Sequence, residues 1–251
     1  MILVIARHEC LSLLRSAQTW VIAAILALLF GYLFLQQLES FLGVQDQLAL
    51  QDYPVGLSGY LSVRYLQPLA LAFTFIAPLF AMRAFSDEFR QHTYALWQSS
   101  PVSSVALVVG KFAGLSFVML CFVMMAVGML LIMRLYVPID LPLVLCATIG
   151  LFLCSCAATA CGLYFSSLTR HNLVAIISSL ALLVLLWLLG SASFGELPVQ
   201  AISHLSIANH LSGFFQGYLQ SADISYFLLM TGMFLALSVI RLDSLRQNGY
   251  S

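Results

Sequence analysis

The sequence predicts an all-α membrane protein. It reads as a single transmembrane domain over residues 1–251, with six spanning helices, an N-terminal interfacial helix, a cytoplasmic helix after the second span and a re-entrant segment before the last. Three observations lead there. Hydrophobic residues make up 62% of the chain and charged ones only 8%, against about 25% charged in a soluble domain. Mean hydropathy is +1.00, so a water-soluble fold would leave a large apolar excess facing water. The few charges also fall between long apolar runs rather than inside them.

Residues 1–17 form the first element. At 100° per residue, Ile2, Leu3, Ala6, Cys10, Leu13, Leu14 and Ala17 share one face, and His8, Glu9, Ser12, Arg15 and Ser16 share the other. Ile5 alone breaks the pattern. This is the signature of a helix lying in the membrane interface. The run that follows reads as a span and not as a cleaved leader, because it ends in Leu35-Gln-Gln-Leu-Glu39 without a small-residue cleavage site.

A span needs about 20 mostly apolar residues. Charge-free runs of suitable length lie at Ser16–Leu38, Tyr65–Met82, Phe112–Met133, Leu141–Thr169, His171–Gly195 and Ile224–Ile240. Each charge at a helix centre would cost about 2.5–3.5 kcal/mol on insertion scales, which explains their exclusion. With the N-terminus inside, Arg7, Arg15, Arg83, Arg90, Lys111, Arg170, Arg241 and Arg246 are cytoplasmic, and only Arg64 and Arg134 fall outside. Glu39, Asp46, Asp52, Asp140, Glu196 and Asp223 lie on the outer side. The positive-inside rule therefore places both termini in the cytoplasm of a multi-pass inner-membrane protein.

The connections differ in character. The first outer loop, Gln36–Ser62, is glutamine-rich and polar. The stretch Arg83–Trp97 is amphipathic, with Phe85, Phe89 and Leu96 on one face and Asp87, Glu88, Arg90 and Gln91 on the other; Pro101 stops it. Such a helix either lies on the membrane or docks a cytoplasmic partner. Residues 196–222 carry no Lys or Arg, yet Ile202–Tyr218 is too short and too interrupted to span, as re-entrant segments are. Cys154–Gly162 is a belt of small residues, which lets helices approach closely in lipid.

Several chemistries lack their residues. Gly110-Lys111 has neither the upstream glycine nor the following Ser/Thr of a phosphate-binding loop, so no ATP hydrolysis is expected from this chain. Gly-x-Ser-x-Gly and His-Glu-x-x-His do not occur. Five of the six cysteines lie in apolar runs and read as small core residues, including Cys154-x-Cys156 with Cys161. A formal net charge of zero gives nucleic acid no electrostatic support. Neither metal ligands, cofactor-binding residues nor catalytic residues are expected. His204 and His210 read as interfacial polar groups, and an intramembrane enzyme would need Glu196, His204, His210 and Asp223 to converge. An ion-coupled carrier or channel would bury charges along its path, and the six runs hold none.

The order of elements resembles permease subunits of the ABC-2 exporter superfamily. Members tend to show an acidic residue, a basic residue, Gly-Thr, a leucine, Ser-Pro and Gly-Lys. Here these correspond to Glu88, Arg90, Thr93, Leu96, Ser100-Pro101 and Gly110-Lys111, with His92 where the glycine stands. The stretch His204–Gly217 with Asp223–Phe227 is similar to gliding-motility and copper-maturation-type permeases. The resemblance implies a non-catalytic permease, a homodimer or a pair with a similar chain, embedded in membrane lipid and bound to cytoplasmic ATPase subunits that carry ATP and Mg. Residues 84–97 would be the coupling helix, with Phe85, Asp87, Glu88, Phe89, Arg90, Thr93 and Leu96 acting on the ATPase. Spans two and five would line the dimer seam. An outer-side accessory protein is compatible with it, and so is a scaffold that transmits force without moving a solute. The substrate is not readable from these residues.

Overall fold

The computed structural model describes residues 1–49, 56–90, 103–190 and 205–247, and these are helical, with no strand among them. Helix α1 (Ile2–Arg15) precedes α2 (Ala17–Ala49). A short α3 (Leu57–Leu61) leads through a π-turn at Ser62–Leu66 into α4 (Gln67–Ala81), and α5 (Arg83–Arg90) follows after Met82. Then come α6 (Ser104–Ile132), α7 (Leu141–Leu168), α8 (Asn172–Leu188), the short α9 (Ile207–Phe215) and α10 (Ser221–Gln247).

Five stretches are long and apolar enough to cross a membrane: Ala17–Val44, Leu57–Arg90, Ser104–Leu135, Leu141–Leu168 and Ser221–Gln247. The sixth expected span corresponds to α8, whose 17 residues sit at the lower end of the about 17–25 that a bilayer requires. Residues 191–195 of that expected run lie outside the described residues.

Helix ends depart from the apolar runs in an instructive way. Charge ends the part of a helix that lipid can hold, but it does not end the helix. So α2 runs on through Glu39 and Asp46 to Ala49, making the start of the expected outer loop helical. At about 50 Å, it exceeds the hydrocarbon core. The second span begins at Leu57 rather than Tyr65, and its π-turn has a local cause. Pro68 offers no N–H and its ring would press on the carbonyl of Arg64, so the turn from Ser62 to Leu66 widens. The third begins at Ser104, capped by Ser103 Oγ accepting from Ala106 N at 3.2 Å. Lys111 therefore lies about two turns inside this helix, near its start.

Helix α7 is the centre of the bundle, packing on α4, α5, α6, α8, α9 and α10. Its belt from Cys154 to Gly162 is buried throughout. A Cβ at Gly162 would stand 2.7 Å from Ala81 Cβ and 3.1 Å from Pro78 Cα, so α4 crosses α7 where no side chain intervenes. The expected close-packing role of the belt holds. Helix α9 has nine residues, too few to span, and buries Ile207, Leu211, Phe214 and Phe215 against the bundle. It lies within the segment expected at 196–222, whose last two residues already belong to α10; residues 196–204 lie outside the described residues.

Candidate functional site

The junction of α4 and α5 is held by polar groups from neighbouring helices. The first N–H groups of a helix lack internal partners. At α5 they find Ser166 of α7, whose Oγ accepts from Phe85 N and Ser86 N at 3.1 Å each and donates to Met82 O at 2.7 Å. Ser86 Oγ donates in turn to Ser166 O at 3.0 Å. One hydroxyl thus satisfies both sides of the break. Phe85 and Phe89 are buried beneath it.

The acidic side chains of α5 also turn towards the bundle. Asp87 Oδ1 accepts from Asn172 Nδ2 of α8 at 2.8 Å and lies 3.8 Å from Arg90 Nη2. Glu88 Oε1 accepts from Lys111 Nζ of α6 at 2.7 Å. The same ammonium donates to Ala84 O at 2.7 Å, lies 3.6 Å from Glu9 Oε2 of α1, and sits 5.2 Å from the Phe85 ring centroid. Lys111 is 4% exposed. A buried ammonium demands compensation, because desolvation costs several kcal/mol per ion. Two carboxylates, a carbonyl and an aromatic face supply it.

Glu9 reaches that lysine because α1 seats tightly on α6. A Cβ at Gly110 would meet Ile5 Cβ at 2.8 Å, and one at Gly114 would meet Ala6 O at 2.8 Å and Glu9 Cβ at 2.9 Å. The one residue that broke the apolar pattern of α1, Ile5, is a packing contact. Burial, with Cys121 nearby, pushes the Cys10 thiol upward from its usual pKa.

Of the expected partner-facing residues, Phe85, Asp87, Glu88, Phe89 and Arg90 lie on α5; Thr93 and Leu96 lie outside the described residues. The polar face expected of this helix, with Asp87, Glu88, Arg90 and Gln91, is divided in its described part between the bundle and the surface. Asp87 and Glu88 are half-buried and engaged with other spans, while Arg83 and Arg90 are exposed. The sequence reading missed Glu9, Ser166 and Asn172 as participants. It placed Glu9 on the polar face of α1, whereas the side chain lies 3.6 Å from Lys111 Nζ. For the other two, an isolated polar residue in an apolar helix offers no signal of its partner.

On the side assigned as outer, His210 Nδ1 lies 2.6 Å from Asp223 Oδ1, and the His210 ring stacks on Tyr226 at 4.2 Å. Two of the four groups that an intramembrane enzyme would have to assemble therefore meet; Glu196 and His204 lie outside the described residues. No His, Cys, Asp and Glu cluster able to hold a metal occurs among the described residues.

No curated protein matches the chain significantly. The family model described as "ABC-2 family transporter protein" matches residues 3–243. With that match over nearly all its length, the chain belongs to the ABC-2 family of transporter proteins.

Proposed function

We propose that this chain is the permease subunit of an ATP-driven exporter and that α5 transmits the stroke of a separate cytoplasmic ATPase into the spans. The observation that carries this reading is the junction itself. In one short helix, Ser86, Asp87 and Glu88 bond to α7, α8 and α6, and Lys111 extends the link to α1. A displacement of α5 cannot leave those helices where they were. ATP binding would close the ATPase dimer, push α5, and shift the bundle between two arrangements. Such a shift is limited to the difference in interaction free energy between the two states.

The exposed Arg83 and Arg90, with residues 91–97 beyond them, would face the ATPase, and ATP and Mg would reside there. The positive-inside distribution supports both termini being cytoplasmic in the inner membrane. A homodimer is supported by apolar side chains left uncovered on two helices: Leu71, Phe75 and Leu79 of α4 are about two-fifths exposed, and Leu173 and Ile177 of α8 are exposed as well. Trp187 Nε1 of α8 donates to Thr74 Oγ1 of α4 at 3.2 Å and holds the two spans together. On the stretch from His204 to Phe227 we place the chain nearest the gliding-motility and copper-maturation-type branch.

The test is purification from native membranes in mild detergent, comparing wild type with Glu88→Ala plus Leu96→Asp. The reading expects an ATPase that accompanies wild type and is lost from the variant. A functional permease that never carries an ATPase would move the ion-coupled carrier ahead.

A further inference from the structure

We infer that the N-terminal helix, with the first half of α6, forms a binding site for one anionic phospholipid. Two hollows adjoin on α1. The first, of about 510 Å³, is a groove walled by Leu3, Cys10 and Leu14 of α1 and by Ala113 and Phe117 of α6; the exposed Arg7 also lines it. The second, of about 390 Å³, is the more polar of the two and is lined by His8, Ser12, Arg15 and Ser16. Leu11 belongs to both. An apolar trough that opens beside a basic, hydroxyl-bearing hollow has the two halves of an amphiphile with an acidic head.

The electrostatics favour that head. The only acid of α1, Glu9, is turned inward onto Lys111. Arg7 and Arg15 remain exposed and make no ion pair among the described residues. The outward field of α1 is therefore basic, and each such residue at an interface attracts anionic lipid. A second copy of the chain fits less well, because a two-fold contact here would bring Arg7 and Arg15 against their own counterparts. The helix also sits at a suitable depth. Gly31 of α2 faces Met129 of α6, and Gly114 of α6 faces Ala6 of α1, so α2 and α6 run in the same direction and α1 packs on the second and third turns of α6. Leu3, at 83% exposed, and Phe117, at 53%, require an apolar cover. The Trp20 indole donates to Leu14 O at 2.7 Å and fixes the end of the trough.

The inference needs α1 at a membrane surface but no ATPase, so it stands or falls separately from the exporter reading. The test uses the purified full chain in detergent micelles containing equal fractions of phosphatidylglycerol and phosphatidylcholine, with retained lipid counted by native mass spectrometry. Wild type should retain phosphatidylglycerol over phosphatidylcholine by about threefold or more, and the preference should shrink as salt screens the arginines. Arg7→Gln with Arg15→Gln should bring the ratio to parity, whereas Arg7→Lys with Arg15→Lys should keep it. Ala113→Phe, which fills the trough and leaves the charges in place, should lower total retained lipid at least twofold. Equal retention by wild type, a preference that salt does not touch, or one that survives the glutamine pair would overturn the site. So would unchanged retention in Ala113→Phe, which would mean diffuse surface attraction. The salt series needs no variant and so is independent of whether any variant folds.

Discussion

Two polar contacts lie at opposite ends of the bundle, and they are wired differently. At one end Lys111 joins α6 to α5 and to α1, and α5 is fixed in addition to α7 and α8. At the other, the contact between His210 and Asp223 links α9 to α10, which follows it directly in the chain, and Tyr226 of the same α10 covers the imidazole. Similar chemistry thus gives a junction in one place and a latch in the other. A pair between sequence neighbours can hold a local shape. A lysine shared among three helices makes the position of each depend on the others.

The largest effect that would sharpen this contrast is expected at the junction. Lys111→Ala strands two carboxylates in a half-buried site, a change that typically costs about 3–5 kcal/mol for a buried pair. A steep fall in thermal stability in detergent should follow, with Lys111→Arg retaining much of it. A fall no greater than that of a surface substitution would break the comparison. Next comes Gly114→Leu, where a Cβ alone already meets backbone of α1 at 2.8 Å. Prising α1 away should cost about 1–3 kcal/mol, as overpacking does, and should expose Glu9; protease cleavage near the N-terminus would report it.

Asp223→Ala should cost less, about 1.5–3 kcal/mol for a hydrogen bond to a charged group. Its reach is the sharper point. Hydrogen exchange should rise in α9 and the start of α10 and stay unchanged in α5. A rise in α5 would mean that the two ends are coupled through α7. The smallest effect concerns Cys10. Because burial raises its thiol pKa, less thiolate is present near pH 8 than for a free cysteine. Maleimide should therefore label it more slowly than an unstructured thiol and catch up as pH rises. Labelling at the free-thiol rate would contradict the packing of α1 on α6.

Much of the fold could be read directly from the sequence because lipid imposes a simple rule: charges stay out of the core, so apolar runs mark the spans. Helix ends escaped that rule. Ser103, Pro68 and Met82 set them through caps, missing N–H groups and partners such as Ser166, none of which alters hydropathy. The site was half legible. Glu88 and Lys111 both belong to the pattern that carried the family resemblance, and the structure gives that pattern a physical basis, since the two residues, 23 positions apart, form one ion pair. Glu9 was assigned to the watery face because a helical wheel knows nothing of a neighbouring helix. Only the glycines at 110 and 114, read together with Ile5, hold a clue that α1 would be drawn against α6.

The most direct test of the central claim separates holding the ATPase from listening to it. The complex would be purified with wild-type permease and with Lys111→Met, and ATP hydrolysis compared with that of the ATPase alone. The account predicts that Lys111→Met still binds the ATPase, through the exposed end of α5 and the residues after it, but no longer changes its hydrolysis rate as the wild-type permease does. An ATPase that responds to Lys111→Met as fully as to wild type would show that the stroke does not pass through this lysine.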